Sequence, residues 1–153
     1  GSTGLPKGTV VAHRSVVNFL YAMQAHLALG ETDRILAVTR ISFDIAVLEL
    51  YLPLATGGTV VLSPDLAAAS LSFRDTLSRS QATAMQTTPS GWRFALGAGW
   101  DGAQPMQLLC GGEALECDLA RELLARGTAL WNVYGPTETT VWSCIHPVRA
   151  SSE

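Results

Sequence analysis

Between residues 106 and 134 the chain reads MQLLCGGEALECDLARELLARGTALWNVY, which predicts a strand, a helix and a second strand in succession. Residues 106–110 and 130–134 are short, nearly continuous apolar runs, typical of strands that are buried on both faces. Residues 115–126 place leucines at helical spacing opposite charged side chains. This order is that of a βαβ unit, and it predicts two parallel strands joined by a helix.

The same alternation extends toward the N-terminus. Further strands are expected at residues 9–11, 34–38, 59–62 and 83–86, and further helices at residues 15–23, 43–56, 71–80 and 90–96. The chain therefore predicts an α/β layered fold with a largely parallel sheet flanked by helices. Because ligands of such sheets bind beyond the carboxyl ends of the strands, we expect the site in the loops after Gln86, Cys110 and Tyr134.

Composition narrows the possible partners. The 153 residues are 48% hydrophobic and 15% charged, which is enough to build one globular core. A formal net charge of -3 provides no basic field, so neither a nucleic acid nor a membrane surface is expected as a partner. No apolar run reaches the roughly 20 residues of a membrane span. The three cysteines lack the spacing of a disulfide framework or a zinc site, which favours reduced, packed thiols in a cytoplasmic protein.

A glycine-rich loop opens the chain as Gly1-Ser2-Thr3-Gly4-Leu5-Pro6-Lys7-Gly8. Its glycines, its hydroxyls and Lys7, the only lysine of the chain, are the groups that bind phosphate oxygens. The alternative is an ordinary glycine-rich turn. The loop is not that of the P-loop nucleotide-binding class, because Lys7 is followed by Gly8 and not by Ser or Thr.

A second polar loop follows the last expected strand, with the sequence NVYGPTETT over residues 132–140. A carboxylate beside hydroxyls and near a phosphate loop is suited to Mg²⁺, which prefers oxygen ligands and shares them with substrate phosphates. Glu138 is therefore the candidate metal ligand. The alternative is that Thr137 and Glu138 only begin a helix or a turn.

These loops occur in order with Ser42-Phe43-Asp44 and with Gly111-Gly112-Glu113. Together they resemble the core motifs of the adenylate-forming enzymes, and most closely the adenylation domains of nonribosomal peptide synthetases. Asp44 after Phe43, with Asn132 and Pro136, resembles the branch that activates amino acids more than the acyl-CoA synthetases or luciferases. The resemblance covers residues 1–153, which would be part of an AMP-binding domain and its large N-terminal subdomain, with the hinge and the C-terminal subdomain absent.

The resemblance implies a role for each residue of the motifs. Lys7, Thr137 and Glu138 would be catalytic: Lys7 near the ATP phosphates, Thr137 on the α-phosphate and Glu138 on Mg²⁺. The other residues implied to bind ATP or AMP are Ser2, Thr3 and Gly4 in the first loop, Gly112, Glu113, Asn132 and Tyr134 near the adenine, and Gly135.

The resemblance also implies an amino-acid pocket, in which Asp44 pairs with the α-ammonium of the substrate. Its other lining residues would be Ile45, Leu48, Gln86, Leu109, Gly111, Val133, Val141 and Trp142. Long side chains at Leu48, Gln86 and Trp142 would fill the space beside the α-carbon, which predicts glycine as substrate and alanine as runner-up. Two alternatives remain: Asp44 could belong to a helix cap that starts at Ser42, and residues 141–142 could begin a strand that faces the far side of the sheet.

The implied reaction joins an amino acid to Mg·ATP, giving an aminoacyl adenylate and pyrophosphate. The acyl group would then pass to the phosphopantetheine thiol of a peptidyl carrier protein, beside condensation domains of the same synthetase. The piece on its own is expected to be inactive. The alternatives are an acyl- or aryl-CoA ligase of the same superfamily and a nucleotide-binding module without chemistry.

Overall fold

A computed structural model describes residues 8–63 and 73–150. The helices are α1 (His13–Leu27), α2 (Ala46–Thr56), α3 (Phe73–Ser80), α4 (Pro89–Gly97) and α5 (Cys117–Leu124). The strands are β1 (Arg34–Ala37), β2 (Thr59–Leu62), β3 (Ala84–Thr87), β4 (Gln107–Gly111), β5 (Ala129–Tyr134) and β6 (Cys144–Val148). A short 3₁₀ helix covers Thr137–Thr139. The predicted alternation of helices and strands is thus present from α1 to β5.

The strands form one sheet in the order β2-β1-β3-β4-β5-β6. The first five strands of that order are parallel to their neighbours, and β6 runs antiparallel to β5. Leu108 of β4 pairs with Leu130 of β5, which sets the register of the βαβ unit. The expectation of an α/β fold with a largely parallel sheet flanked by helices is confirmed.

Successive strand residues point to opposite faces of the sheet, and each face has its own apolar core. Met85 and Leu108 belong to the core that includes residues of α3, α4 and α5. Their neighbours Ala84 and Leu109 belong to the other core, beneath α1 and α2. Leu109 and Val133 therefore lie on the same face as the segment that carries Asp44.

Local signals determine where the helices nearest the site begin and end. The Thr88 side chain accepts a hydrogen bond from the Gly91 N–H, and Pro89 occupies the first turn, so α4 begins directly after β3. Gly57 ends α2 in the left-handed conformation at φ 78°, which glycine adopts without steric cost. The connection from β3 to α4 is consequently short, and it keeps Gln86 and Thr88 at one edge of the sheet.

The N-terminal strand expected at residues 9–11 is wrong. Residues 8–12 have no regular secondary structure, and Val10 is 98% exposed immediately before α1. β-branched residues favour strands only where a neighbouring strand and a core accept them, and this run pairs with no strand of the described sheet. The helix expected from residue 43 begins at Ala46, because residues 43–45 form turns closed by bonds such as Ala46 N–H to Phe43 O at 3.1 Å.

All three cysteines are free thiols. Burial raises the pKa of the Cys110 thiol to about 12, so this residue behaves as a small apolar side chain of the core. Cys117 and Cys144 are exposed, which differs from the packing role expected for all three. The reason is positional: Cys117 opens the first turn of α5, and Cys144 lies on the edge strand β6.

The glycine-rich loop with Ser2, Thr3, Gly4 and Lys7 lies outside the described residues. The first two residues of the helix expected at 71–80 lie outside them as well, and the described part of that helix is α3. Within the part of the chain that the structure describes, no helix combines the length and the apolar character that crossing a membrane requires.

Candidate functional site

Polar loops meet at the edge of the sheet where β3, β4 and β5 end. Because these strands are parallel neighbours, their carboxyl ends lie side by side, with Thr87 opposite Cys110 and Gly111 opposite Val133. A cleft of about 530 Å³ opens between the loops after β4 and β5. Among the residues that line it are Gly112, Glu113, Asn132, Tyr134, Gly135 and Trp142. All six were candidate site residues from the sequence.

Glu113, after β4, is held by the first turn of α4. Its Oε2 accepts hydrogen bonds from the Ser90 backbone N–H at 3.1 Å and from the Ser90 hydroxyl at 2.6 Å. These bonds, led by the one from the hydroxyl, hold the pKa of Glu113 below its ordinary value. The carboxylate therefore fixes the loop after β4 to the helix that follows β3, at the exposed edge of the candidate site.

The loop after β5 folds back on the end of its own strand. Gly135 permits this, because a Cβ at this position would lie 2.7 Å from the Trp142 Cα. The Ser143 N–H donates to the Tyr134 carbonyl at 2.9 Å, and the Ser143 and Thr139 hydroxyls share a hydrogen bond of 3.0 Å. Tyr134 is exposed at the rim of the cleft.

Thr137 and Glu138 lie in the 3₁₀ helix of this loop, so the segment does begin a helical turn, and the metal-binding role implied for Glu138 stays a prediction. Both residues are exposed, and Pro136, directly before them, lines the cleft. No group of three or more His, Cys, Asp or Glu side chains that could hold a metal ion occurs within residues 8–63 and 73–150. Glu138, the metal ligand implied by the sequence, therefore lies outside any cluster of three or more such side chains among these residues.

Strained backbone brings Val141 and Trp142 into the core. Thr140 and Val141 have φ angles of 71° and 65°, a region that β-branched residues rarely adopt. β6 begins only at Cys144, and Val141 and Trp142 are buried in the core that contains Leu109. The alternative that residues 141–142 begin a strand facing the far side is therefore wrong.

A buried chain of hydrogen bonds connects Trp142 to the interior. The Trp142 indole Nε1–H donates to Gln86 Oε1 at 2.7 Å. Gln86 Nε2 in turn donates to Glu49 Oε1 at 3.0 Å and to the Ile45 carbonyl at 2.9 Å. Gln86 is buried and Glu49 is 0% exposed. Side chains from β3, α2 and the segment before β6 are thereby joined into one polar network.

Glu49 also receives bonds from the end of β1. Its Oε2 accepts from the backbone N–H groups of Val38 and Thr39 at 2.9 and 3.0 Å, and its Oε1 accepts from the Thr39 hydroxyl at 2.5 Å. Burial raises the pKa of the Glu49 carboxyl, and the hydrogen bonds from Thr39, Gln86 and Val38 oppose that rise. Sequence reasoning missed Glu49 and Thr39. The available signal was a lone carboxylate in an otherwise apolar helix, which burial obliges to find partners.

The residues expected to line an amino-acid pocket are packed together. Besides Gln86 and Trp142, buried members of this set are Leu48, Leu109, Gly111, Val133 and Val141, and we call these seven residues with Glu49 the pocket wall. Gly111 allows the closest approach, since a Cβ there would lie 2.9 Å from Trp142 Cη2. A void of about 10 Å³ lies in the core behind the wall, between α1, β1 and the residues Leu48, Gln86 and Leu109, and Trp142 does not border it.

Asp44 lies beside this wall and is half-buried. No residue in the described ranges 8–63 and 73–150 forms a hydrogen bond or an ion pair with its carboxylate. The N-cap residue of α2 is Ile45 and the helix receives no side-chain cap, so the alternative of a helix cap from Ser42 is wrong. Ile45 itself is fixed by the bond from Gln86 to its carbonyl.

The structure combines a largely parallel α/β sheet, a cleft at the carboxyl edge of that sheet and a buried network of an acid, an amide and an indole beside the cleft. This combination is typical of a ligand-binding domain of an enzyme. Its family follows from comparison. The chain belongs to the family of AMP-binding enzymes, whose sequence profile matches residues 1–153.

The relatives within this family are nonribosomal peptide synthetases. The dimodular nonribosomal peptide synthase of Bacillus subtilis (strain 168) is 42% identical over 153 residues, which cover 94% of this chain and 6% of that protein. Tyrocidine synthase 3 of Brevibacillus parabrevis is 37% identical, over 94% of this chain and 2% of that protein. The chain thus spans a small part of its relatives, and the resemblance to their adenylation domains is confirmed.

Solved structures show the same fold. Holo-AB3403, a four-domain nonribosomal peptide synthetase solved with AMP and glycine, superposes with a TM-score of 0.91 at 40% identity, over 96% of this chain and 11% of that one. The adenylation domain AlmE of Vibrio cholerae, solved with glycyl-adenosine-5'-phosphate, gives 0.86 at 26% identity, over 96% and 28%.

Proposed function

We propose that residues 1–153 are part of the adenylation domain of a longer nonribosomal peptide synthetase, with the hinge and the C-terminal subdomain contributed by the rest of that protein. The short share of each relative that the chain spans supports this proposal. Because the ligand edge of the sheet would be completed by those further parts, the piece alone is proposed to be inactive.

The proposed reaction is adenylation of an amino acid. An oxygen of the substrate carboxylate forms a bond to the α-phosphorus of ATP, and the bond from that phosphorus to the pyrophosphate oxygen breaks. Thr137 would donate its hydroxyl to the α-phosphate, and Lys7 and the glycines of its loop would neutralise phosphate charge. Catalysis by these groups consists of positioning and charge stabilisation.

Glu138 would hold Mg²⁺. A single exposed carboxylate fits this ion, because Mg²⁺ keeps several waters and takes most of its remaining oxygen ligands from substrate phosphates. The ion would balance the negative charge of the phosphates when bound.

The observation that carries the choice of an amino acid is the half-buried Asp44 carboxylate, which has no partner among the described residues. A carboxylate partly removed from water gains most from a cationic partner, and the α-ammonium of an amino acid supplies one. The wall beside it is apolar apart from groups that already bond one another. A carboxylic acid without an ammonium would leave Asp44 without that partner.

Glycine is the proposed substrate, and alanine the second candidate. Trp142, Gln86 and Leu48 are buried in the wall, so a larger substrate side chain would have to displace buried groups. Glycine and a glycyl adenylate are the ligands of two structurally similar proteins, AB3403 and AlmE. Selectivity for a substrate without a side chain arises from the clashes that larger competitors make.

The proposed partners follow from the product. An aminoacyl adenylate is a reactive acyl donor, and the phosphopantetheine thiol of a peptidyl carrier protein would accept its acyl group as a thioester. Condensation domains of the same synthetase would use that thioester, and the whole protein would work in the cytoplasm.

Pyrophosphate exchange by the complete adenylation domain of the proposed parent tests this function. We expect labelled pyrophosphate to enter ATP when glycine is present, and not when acetate or benzoate replaces glycine. Exchange with either of these acids but not with amino acids would establish an acyl- or aryl-CoA ligase instead. Nucleotide binding without exchange on any acid would establish a binding module.

A further inference from the structure

We propose that Glu49 is a positioning residue of the amino-acid pocket: its carboxylate fixes the orientation of the Gln86 amide and, through that amide, of the Trp142 indole. This inference rests on the proposed function, because the pocket whose selectivity Glu49 would control is the pocket of that function. Glu49 does not line the cleft after β4 and β5, and it would act only through Gln86.

The Gln86 amide has only one orientation that satisfies its neighbours. Its Nε2 carries two protons, and these are used by Glu49 Oε1 and by the Ile45 carbonyl. Its Oε1 has to accept from the Trp142 indole, which is solely a donor. Rotating the amide by half a turn would bring Oε1 against two acceptors and Nε2 against a donor. The acceptor on Glu49 and the donor on Trp142 therefore require the same orientation of the Gln86 amide.

Glu49 is itself immobilised. The backbone N–H groups of Val38 and Thr39 hold Oε2, and the Thr39 hydroxyl and Gln86 hold Oε1. The carboxylate is completely buried, so water does not compete for these bonds and each is stronger than it would be at the surface. The end of β1 thereby fixes the position of Glu49 and, through Gln86, that of the Trp142 indole.

The strain next to Trp142 indicates that its place needs such support. Thr140 and Val141 hold left-handed φ angles, and strained residues persist only where their surroundings over-determine them. The indole is restrained by its bond to Gln86 and by contact with the backbone at Gly111, where a Cβ would approach Cη2 to 2.9 Å. Loss of the bond would free the indole to relax, and the space reserved for the substrate would change.

A Glu49→Gln substitution tests the relay directly, because it changes one acceptor oxygen into a donor at nearly constant volume. The new amide has to turn its NH₂ either toward Gln86 or toward the N–H groups of Val38 and Thr39. In the first case the Gln86 amide loses its acceptor, and in the second two backbone donors lose theirs. Thr39→Val is the matched control, since it removes one donor to the same carboxylate and leaves the Gln86 bond.

The spectroscopic readout is the indole N–H signal of Trp142 in the ¹⁵N-tryptophan-labelled adenylation domain of the proposed parent, assigned with Trp142→Phe. We expect Glu49→Gln to shift this signal and to speed its exchange with solvent about tenfold, as the net loss of one hydrogen bond would. The Trp92 indole donates to the Leu109 carbonyl at 3.0 Å and reports an intact core through an unchanged signal. Thr39→Val should leave the Trp142 signal near its wild-type position.

The kinetic readout separates positioning from general damage. Glu49→Gln should raise the KM for glycine and reduce the preference for glycine over alanine by about tenfold, a size typical of pockets that discriminate one methyl group. The KM for ATP should stay unchanged. In a Gln86→Met background, where the relay is already broken, Glu49→Gln should have no further effect on this preference.

A Trp142 signal that is unmoved in both the Glu49→Gln and the Glu49→Asp protein would overturn the inference, as would equal rises in the KM values for glycine and ATP. If Glu49→Gln does not fold, Glu49→Asp provides the test, because it keeps the charge but shortens the reach to Gln86. The inference requires that the Trp142 signal also moves in this variant. If the wild-type protein activates no amino acid, the proposed function fails, and the indole signal still decides whether Glu49 positions Trp142.

Discussion

The two halves of the candidate site are built in opposite ways. The pocket wall is buried, and no buried side-chain nitrogen or oxygen in the described part of the chain lacks a hydrogen-bond partner. The other half, which we call the nucleotide rim, is exposed at all of its positions, Gly112, Glu113, Asn132, Tyr134, Thr137 and Glu138. Substitutions in the two halves should therefore have different consequences.

A wall that is packed and hydrogen-bonded before any ligand binds acts by exclusion, because its shape is fixed in advance. An exposed rim acts by attraction, since its polar groups lie in solvent, where a charged ligand can reach them. Rim variants should lose chemistry and keep the fold, whereas wall variants should alter selectivity or stability. The predictions below test this division, beginning with the largest effect.

Glu138→Gln should reduce pyrophosphate exchange by the parent's adenylation domain by about a hundredfold or more, the loss typical of removing one electrostatic group that stabilises the transition state. The melting temperature should stay unchanged, because the side chain is exposed. Glu31→Gln is the control, an exposed glutamate between α1 and β1. Full exchange by the Glu138 variant would remove this residue from the mechanism.

Asp44→Ala should weaken glycine binding by about 10- to 100-fold, the range expected when a charge-assisted hydrogen bond is lost. ATP affinity should change little, since the proposed partner of Asp44 is the ammonium. Calorimetric titration of each ligand measures both effects, and Asp44→Asn tests the charge at constant shape. Equal losses for glycine and ATP would contradict the assignment.

Gly111→Ala should destabilise the domain by about 1–3 kcal/mol, the usual penalty for overpacking a core. The added Cβ would meet Trp142 Cη2 at 2.9 Å and Val133 Cγ2 at 2.6 Å. Gly97→Ala is the matched control, because a Cβ there meets no atom within 4 Å. Denaturant unfolding measures both variants, and equal stability of the two would show that the wall tolerates expansion.

Glu113→Gln should have the smallest effect, under about 1 kcal/mol, because exposed interactions are screened by solvent. The pKa of Glu113 is lowered in the folded state, so its ionised form stabilises the protein above the pKa of the unfolded chain. That stabilisation is lost as the pH falls through the folded pKa. The stability difference between wild type and variant should therefore shrink on acidification. A difference that stays constant with pH would show that the ionised Glu113 carboxylate is not its cause.

Much of the fold was predictable because the parallel strands are short apolar runs that differ clearly from the amphipathic helices. The strand predicted at residues 9–11 is wrong, because a β-branched run carries no information on whether a neighbouring strand will accept it. β6 was not predicted, because Pro147 and His146 interrupt its apolar pattern. Its half-buried residues are typical of an edge strand.

Site residues that lie in sequence motifs could be predicted from the sequence. Site residues that act through contacts between distant parts of the chain could not. The cleft between Gly112 and Tyr134 follows from strand ends that any parallel sheet places together. Glu49 and Gln86 are 37 positions apart, and their bond depends on the packing of α2 against the sheet. Sequence patterns report spacing along one element, so a bond between two elements leaves no periodic trace.

Exclusion by Trp142 is the central claim, and the competition between glycine and alanine measures it most directly. Pyrophosphate exchange should be run with both amino acids and with the remaining standard set, on the wild-type adenylation domain and on Trp142→Ala. We predict that the wild type prefers glycine by tenfold or more and that Trp142→Ala accepts alanine about as well as glycine, by the discrimination that one methyl group usually allows. A wild type that prefers a bulky or charged amino acid, or a Trp142 variant with unchanged preference, would contradict the account.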